Sequence, residues 1–510
     1  MNNDPELDAG DIQGHVFPGY AEADLVLMAL RCSDWASLQA LLRNVFGAGL
    51  EKLTTMRNAS AIKAARKQFL MEAGPEPEDP IRLNVAFTRQ GLDLMGFADA
   101  RGVDSAFDAG MTGNSTGDPK NPVRMDGTAE LAHPSNWIVG GRNAFFHVLL
   151  LIACKKNIRA RTAQLAETVR SSAGMTVVYE EVGENLKFGA EHFGFADGIS
   201  SPGIYGSYRD AGGKKQTVTT RYGVPSANGL DFGKPGQPLV WPGKFFVGAP
   251  AFEGDPGDVP HELYRNGSFL VFRRLQQDVH AFREDTDTLA AEIAAAAGLP
   301  SFFGKTLRAL IVGRQQNGQP LMRAGEKTEK GFALNHFFYG NETPDINLSD
   351  GSHISGTRAD LEGSRCPLWA HIRKVNPRDG VNDLPESAHN LQILRRGVPF
   401  GPPFAEDQPP SSANNALPRG LLFLAYQRSI SGQFEKLNTH WMNQFGVPGG
   451  GGHDLLVGLA LSPEGALAER RALHVPSGQQ IATPRTWVVP TGGAYLFAPG
   501  VKGLKFMLAS

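Results

Sequence analysis

Three absences narrow what this chain can be. Cysteine is scarce: Cys32, Cys154 and Cys366 are widely spaced and odd in number, which excludes a disulfide-built scaffold and leaves no pair at metal-clip spacing. A basic excess is missing too, since 50 Lys and Arg face 52 Asp and Glu for a formal charge of −2. General nucleic-acid binders and anionic-membrane binders usually carry such an excess, so neither partner is expected and small molecules are. Long apolar runs are the third absence. The most apolar stretch, 144–154, is interrupted by His147 and falls well short of the roughly 20 residues that cross a bilayer. Near the start, Asp4, Glu6, Asp8 and Asp11 stand where a basic segment would lead an apolar one, so no secretory signal is visible and a reducing cytoplasm is the expected location.

Glycine and proline are plentiful instead, 60 and 34 residues, concentrated in stretches such as 206–257, 398–410 and 446–452. Long loops on an ordered scaffold are expected, and such loops often carry a site. At 510 residues the chain exceeds the roughly 100–200 residues of a typical domain, so two large units are expected. Residues 24–31 are strand-like. In 33–45, Ser33 is a candidate N-cap, and Trp35, Leu38, Leu41, Leu42 and Val45 recur at helical spacing. Ile81, Leu83, Val85 and Phe87 alternate with Arg82, Asn84 and Ala86, the period of a strand with one buried face. Residues 145–153 read as a central strand, 157–171 as a helix with Ile158, Leu165 and Val169 inward, and 175–180 as a strand. The order is βαββαβ with one long insertion.

The second half follows that order less cleanly. Strand 268–275 and helix 278–297 precede a long excursion to 391–395; strand 421–426, a helix with Phe434, Leu437, Trp441 and Phe445 on one core-packing stripe, and strand 494–498 complete it. No residue-level repeat is present. The pattern predicts an α+β protein of two ferredoxin-like, split-βαβ modules with antiparallel sheets and long insertions, spanning 1–205 and 206–510.

Three segments carry polar residues that solubility does not explain. In 193–202, Asp197 is gripped between Gly194 and Gly198, while Phe193, Phe195 and Ile199 draw the loop into an apolar place. Either this is a tight turn whose Asp caps the next segment, or the carboxylate is delivered to a low-dielectric site where it needs a partner. His371 lies in a short helix-compatible segment among Trp369, Ala370 and Ile372, with Arg373, Lys374 and Arg378 close by. It reads either as a hydrogen-bonded structural imidazole or as an axial ligand, since apolar packing with nearby cations suits the macrocycle and propionates of a haem. Arg395 ends a strand and Arg396 points to the opposite face; one of the two should be buried and need an anion, unless the pair lies on a solvated edge.

Taken together and in order, Gly194-Phe-Ala-Asp197-Gly198, the AHIRxxNPR wording of 370–378 and the RxxxPFG wording of 395–401 resemble the dye-decolorizing peroxidase family. Asp11-Ile-Gln-Gly14 and the 420–427 strand GLLFLAYQ add to it, so the resemblance spans nearly the whole chain. Its length and long insertions are similar to the large bacterial and fungal subgroup. The resemblance implies one haem b per chain, bound mainly in the C-terminal module and, without CxxCH, not covalently attached. His371 would be its axial iron ligand, Asp197 and Arg395 the catalytic pair on the opposite face, and Leu421 and Phe423 the apolar residues that keep that face dry. Arg373, Asn376 and Arg378 would be candidates for the propionates. Glu435 is the candidate acceptor for the His371 ring N–H, a contact that raises ligand basicity. Trp369 and Tyr426 read as core packing before electron relays.

The implied reaction is reduction of hydrogen peroxide at the expense of bulky aromatic or dye-like one-electron donors. Asp197 is the proton-moving base and Arg395 the fixed charge beside the departing oxygen. An aspartate base implies an acidic optimum, because its reference pKa of about 3.9 lies far below the roughly 6.5 of histidine. The alternatives are a haem-binding or haem-handling protein without turnover and an α+β protein without haem. A monomer or homodimer is expected, and with no long tail after the last strand, packaging in a protein shell is not.

Overall fold

The computed structural model of the protein describes residues 4–20, 23–72, 76–112, 134–196, 198, 200–210, 212–218, 232–298, 300, 302–325, 335–347, 353–379, 391–458, 460–461, 467–468, 470–474, 478–483 and 485–509. In its first half, strand β1 (Asp24–Cys32) leads into helix α1 (Trp35–Phe46), and β2 (Arg82–Phe87) and β3 (Val148–Cys154) precede α2 (Ile158–Arg170) and β4 (Met175–Gly183). The expected βαββαβ order is present. Asp34 rather than Ser33 caps α1, its side chain accepting from the Ser37 N–H at 2.8 Å. An ionised carboxylate at the helix start also opposes the positive end of the helix dipole, which a serine hydroxyl cannot do.

The second half supplies β5 (Ser268–Gln277), the long helix α3 (Val279–Ala297), the short strands β6 (Leu394–Arg395) and β7 (Val398–Phe400), and the longer β8 (Gly420–Gln427) and β9 (Val488–Ala498). Residues 391–393, expected in the same strand as Arg395, fall outside it. β6 and β7 lie in one register along the same side of β8, pairing Arg395 with Ala425 and Phe400 with Gly420. They act as one interrupted strand. The segment after β8 is π-helical rather than α-helical, over Ile430–Phe434 and Lys436–Met442, and such turns recur at functional sites. Phe434, Leu437 and Trp441 are buried as expected, whereas Phe445 lies beyond the helical end.

Pairing is antiparallel throughout these strands, in the order β2-β3-β1-β4 in the first half and β9-β5-β8-β6/β7 in the second. The two sheets join at both ends, by Phe87 opposite Phe497 and Phe400 opposite Gly183, so the strands run round into a closed ring. Closure explains why β2 is buried along its whole length and not on the single face that its alternation implied. Leu27, Leu151, Leu270 and Leu424 point inward into one shared cluster, while the intervening Met28 and Ile152 meet Leu38 and Leu42 of α1 outside. Polar Asn84 is accommodated because its amide donates to Gln13 Oε1 and Thr54 O, both at 2.9 Å. Gln13, from the DIQG segment, also donates to the carbonyls of Val85 and Pro499, tying the start of the chain to both sheets. Among the described residues no helix is long and apolar enough to cross a membrane.

At the β4–β7 seam a Cβ on Gly183 would lie 2.3 Å from Cγ1 of the buried, stiff Val398. Gly183→Val is expected to cost about 1–3 kcal/mol through overpacking, read as a lower urea midpoint; an unchanged midpoint would show that the seam is not tightly fitted.

Candidate functional site

The loop that precedes Asp197 is held from beneath. Phe193 and Phe195 are each only 2% exposed, and both donate their backbone N–H to the Glu191 carboxylate, at 2.8 and 2.9 Å. Gln277 at the end of β5 donates to the same carboxylate. Glu191 thus shapes the turn, a task that nothing in its sequence surroundings signalled. Gly194 has φ +94°, whereas no positive φ marks Gly198, and among the described residues nothing lies within 4 Å of where its Cβ would stand; the described residues give a steric reason for glycine at the first position and none at the second. Asp197 and Ile199 lie outside the described residues.

Just beyond, Ser200 accepts a hydrogen bond from Arg395 Nη2 at 3.0 Å. Arg395 stands opposite Ala425 on β8, so strand alternation puts it on the same sheet face as Phe423 and Leu421. On this strand, enclosed between β5 and β7, Leu421 and Phe423 are only half-buried, while Leu422, Leu424 and Tyr426 on the other face are fully covered. A partly open apolar surface therefore borders a cation within the fold. Arg396 turns the other way, donating to the carbonyls of His15 at 3.1 Å, Val16 at 2.9 Å and Arg395 at 2.8 Å. Burial pushes its guanidinium down to about 10. Neither arginine is fully buried, as one was expected to be, and half-buried Arg396 is met by carbonyl dipoles in place of an anion.

His371 opens the five-residue helix α4 (His371–Val375), and its Nδ1 is 2.7 Å from Asp454 Oδ2. Asp454 is fully buried. Burial alone would push its carboxyl up, but His371 and the backbone N–H groups of Leu456 and Val457, bound to Oδ1 at 2.9 and 3.1 Å, outweigh this and hold it below the usual carboxylate value. Glu435, expected from the sequence as the acceptor, instead accepts from the Tyr495 hydroxyl at 3.0 Å. Asp454 was legible only as an acid between the glycine run 446–452 and Leu455-Leu456, the same signal that drew attention to Asp197. Nothing in the sequence aimed it at a histidine 83 residues earlier.

The other residues near His371 divide. Arg373 is buried against Asp360, with Nη1 3.1 Å from Oδ2 and further bonds at 2.7 Å to the carbonyls of Cys366 and Asp360. Its guanidinium also covers the Tyr339 ring at 4.3 Å, so it is committed to the fold. Asn376 ends α4 and accepts from Gln392 at 3.3 Å. Arg378 spends Nη1 on the carbonyls of Asn335 and Phe337, at 2.8 and 2.7 Å, and is otherwise stacked on the Phe337 ring. Trp369 and Tyr426 are each 1% exposed, the core positions expected of them.

The donor set fits a haem. An imidazole that gives one ring nitrogen to a buried carboxylate is oriented and basic enough to bind a metal through the other. Among the described residues no group of three or more His, Cys, Asp or Glu could hold a metal ion, and a lone imidazole suits an iron that brings its other donors in a macrocycle. The half-open Leu421–Phe423 surface suits the apolar ring.

No protein-family model matches the chain. Curated relatives do. A dye-decolorizing peroxidase of Mycetinis scorodonius is 28% identical over 526 residues, covering 99% of this chain and 88% of its own, and a multifunctional dye peroxidase of Amycolatopsis is 31% identical over 353 residues, 65% of each. In fold the chain is similar to an ancestral D-type dye-decolorizing peroxidase, with TM-score 0.75 at 24% identity, covering 99% of this chain and 100% of the other. The peroxidase of Auricularia auricula-judae gives TM-score 0.70 at 22% identity over the same shares.

The turn before Asp197 can be tested by stability alone. Gly194→Ala is expected to lose about 1–2 kcal/mol from its positive φ, while Gly198→Ala stays within about 0.5 kcal/mol of the parent; equal losses in thermal melts would contradict the distinction.

Proposed function

Because the chain belongs to the dye-decolorizing peroxidase family, we propose that it is a haem peroxidase whose iron is held by His371 and whose peroxide chemistry is carried by Asp197 and Arg395. The observation that carries this reading is the 2.7 Å contact between His371 Nδ1 and the buried Asp454. With Nδ1 so committed, Nε2 is the ring atom that would hold the iron. Bound haem b, one per chain and not covalently attached, would supply the electrons that break the O–O bond of hydrogen peroxide and regain them singly from a bulky aromatic or dye-like donor.

The chain's own residues do the rest. Asp197 takes a proton from one peroxide oxygen and returns it to the other, so that the departing oxygen leaves as water. Arg395, aimed by Ser200, keeps a fixed positive charge where negative charge develops during that departure. Leu421 and Phe423 exclude water from this face, which strengthens both effects. Asp454 fixes the His371 ring and its tautomer. Of the three residues expected at the propionates, Arg378 is the one we retain as the cation and Asn376 as a polar neighbour; Arg373 serves the fold through Asp360.

We further read residues 1–205 and 206–510 as two ferredoxin-like modules, with the haem mainly in the second. The strand orders of the two halves support this, since each places its first and third strands centrally. Three unpaired, buried cysteines suit a cytoplasmic setting.

Reconstitution with haem is expected to give a Soret band at one haem per chain in the parent and to lose that stoichiometric binding in His371→Ala. Rapid mixing of the loaded parent with peroxide should change the spectrum before turnover sets in. No change would leave a haem-binding protein without peroxidase turnover. Asp197→Asn and Arg395→Leu are each expected to slow that step by about 10²–10⁴-fold.

Dye oxidation is expected to be fastest in acid. The base form of an aspartate persists down to its reference pKa of about 3.9, whereas a histidine base would be lost below about 6.5. A rate profile with both limbs above neutrality would remove Asp197 from the role of base.

A further inference from the structure

Behind the His371–Asp454 pair lies a buried cation that none of the steps above uses. Arg470 is 3% exposed. It donates from Nη1 to Leu455 O at 2.9 Å and to Gly458 O at 3.5 Å, from Nε to Thr483 Oγ1 at 3.1 Å, and from Nη2 to Arg485 O. Its guanidinium lies 5.3 Å from the centre of the Trp487 ring, and Trp487 is itself fixed by Nε1 donating to Asp285 at 2.7 Å. Two of these contacts fall on the turn that presents Asp454, whose own Oδ1 is taken by Leu456 and Val457 and whose Oδ2 meets His371. Among the described residues Arg470 makes no ion pair, although burial costs a guanidinium a great deal without one. The bonds to Leu455 O and Gly458 O bring its charge onto the residue next to Asp454 and across the same turn; burial lowers the guanidinium to about 10, with the Asp454 and Asp285 carboxylates acting against that fall.

We propose that Arg470 is a positioning residue that acts on the haem iron through Asp454 and His371, holding the 454–458 turn in place and moderating the pull of Asp454 on the His371 ring proton. The inference rests on His371 as the iron ligand. A carboxylate next to a buried cation is a weaker base. It therefore draws the Nδ1 proton less, leaves the imidazole less anionic and makes His371 a weaker donor to iron. Removing Arg470 should strengthen that donation and favour the ferric over the ferrous state. Removing the Asp454 charge should do the opposite.

The test uses the haem-loaded full chain and two readouts other than turnover, the ferric/ferrous midpoint potential and the iron–histidine stretching frequency of the ferrous form. Arg470→Met is expected to raise the ferric-to-ferrous preference about tenfold, about 59 mV more negative for a one-electron couple, and to raise the stretching frequency. Arg470→Lys, which retains the charge, should recover most of both shifts, and Asp454→Asn should move both the other way. In the Asp454→Asn background, Arg470→Met should add little, because its route to the iron is gone. If Arg470→Met does not fold, Arg470→Gln keeps a donor for Leu455 O, removes the charge and is expected to give the same shifts. Unchanged potential and frequency in the charge-removing variant, or an equal shift in Arg470→Lys, would overturn the inference. So would a full Arg470→Met shift in the Asp454→Asn background. A parent protein without an iron–histidine stretch, or one whose stretch survives His371→Ala, would overturn the ligand reading and this inference with it.

Discussion

Closure of the strand ring is the constraint on which the rest depends. An open antiparallel sheet leaves unpaired edges and one face in water, whereas here each sheet gives its edges to the other at the Phe87–Phe497 and Phe400–Gly183 seams. The consequence is burial on both faces of the central strands. Side chains pointing into the ring must be apolar or fully satisfied, as Asn84 and Gln13 are. The sheet face outside the ring is where a partly open surface with a cation, Leu421, Phe423 and Arg395, can exist beside a packed core.

The two segments proposed to carry the chemistry share one packed support. Phe193 and Phe195, which anchor the loop leading to Asp197, belong to the same cluster as Trp369, Leu455 and Leu456, which flank His371 and Asp454. Phe282 on α3 stands between them, 4.3 Å from the Phe193 ring and 5.1 Å from Trp487 by ring centres. Packed interiors resist small displacements, so the spacing between the 193–195 turn and the His371 helix is set by this cluster.

Charge inside the fold is met by local satisfaction at some sites and by direct pairing at others. Asp454 relies on two N–H groups and an imidazole, Arg396 on three carbonyls, Arg470 on three carbonyls and a hydroxyl. Arg373 and Asp360 form a direct buried pair beside them. Removing one partner from any of these sites leaves a desolvated polar group behind, the costliest kind of substitution. It also means that a charge can act on a neighbour across the interior without touching it.

Much was legible along the chain. Period-two alternation in 81–87, helical spacing in 33–45 and the βαββαβ order are local properties, set by side-chain geometry within a few residues. The segments holding His371 and Arg395 were marked for the same reason, in adjacent apolar residues and a strand end, whereas it was the family resemblance that joined them with Asp197 into one expected site. What the tertiary structure decided is which distant groups meet. That Asp454 and not Glu435 receives His371, that Arg373 turns to Asp360, that Ser200 meets Arg395 and that Arg470 stands behind Asp454 all depend on how long loops cross between packed elements. A hydrogen bond between residues far apart in sequence needs only the right atoms at the right distance, and that distance is a property of the packed interior, not of the spacing along the chain.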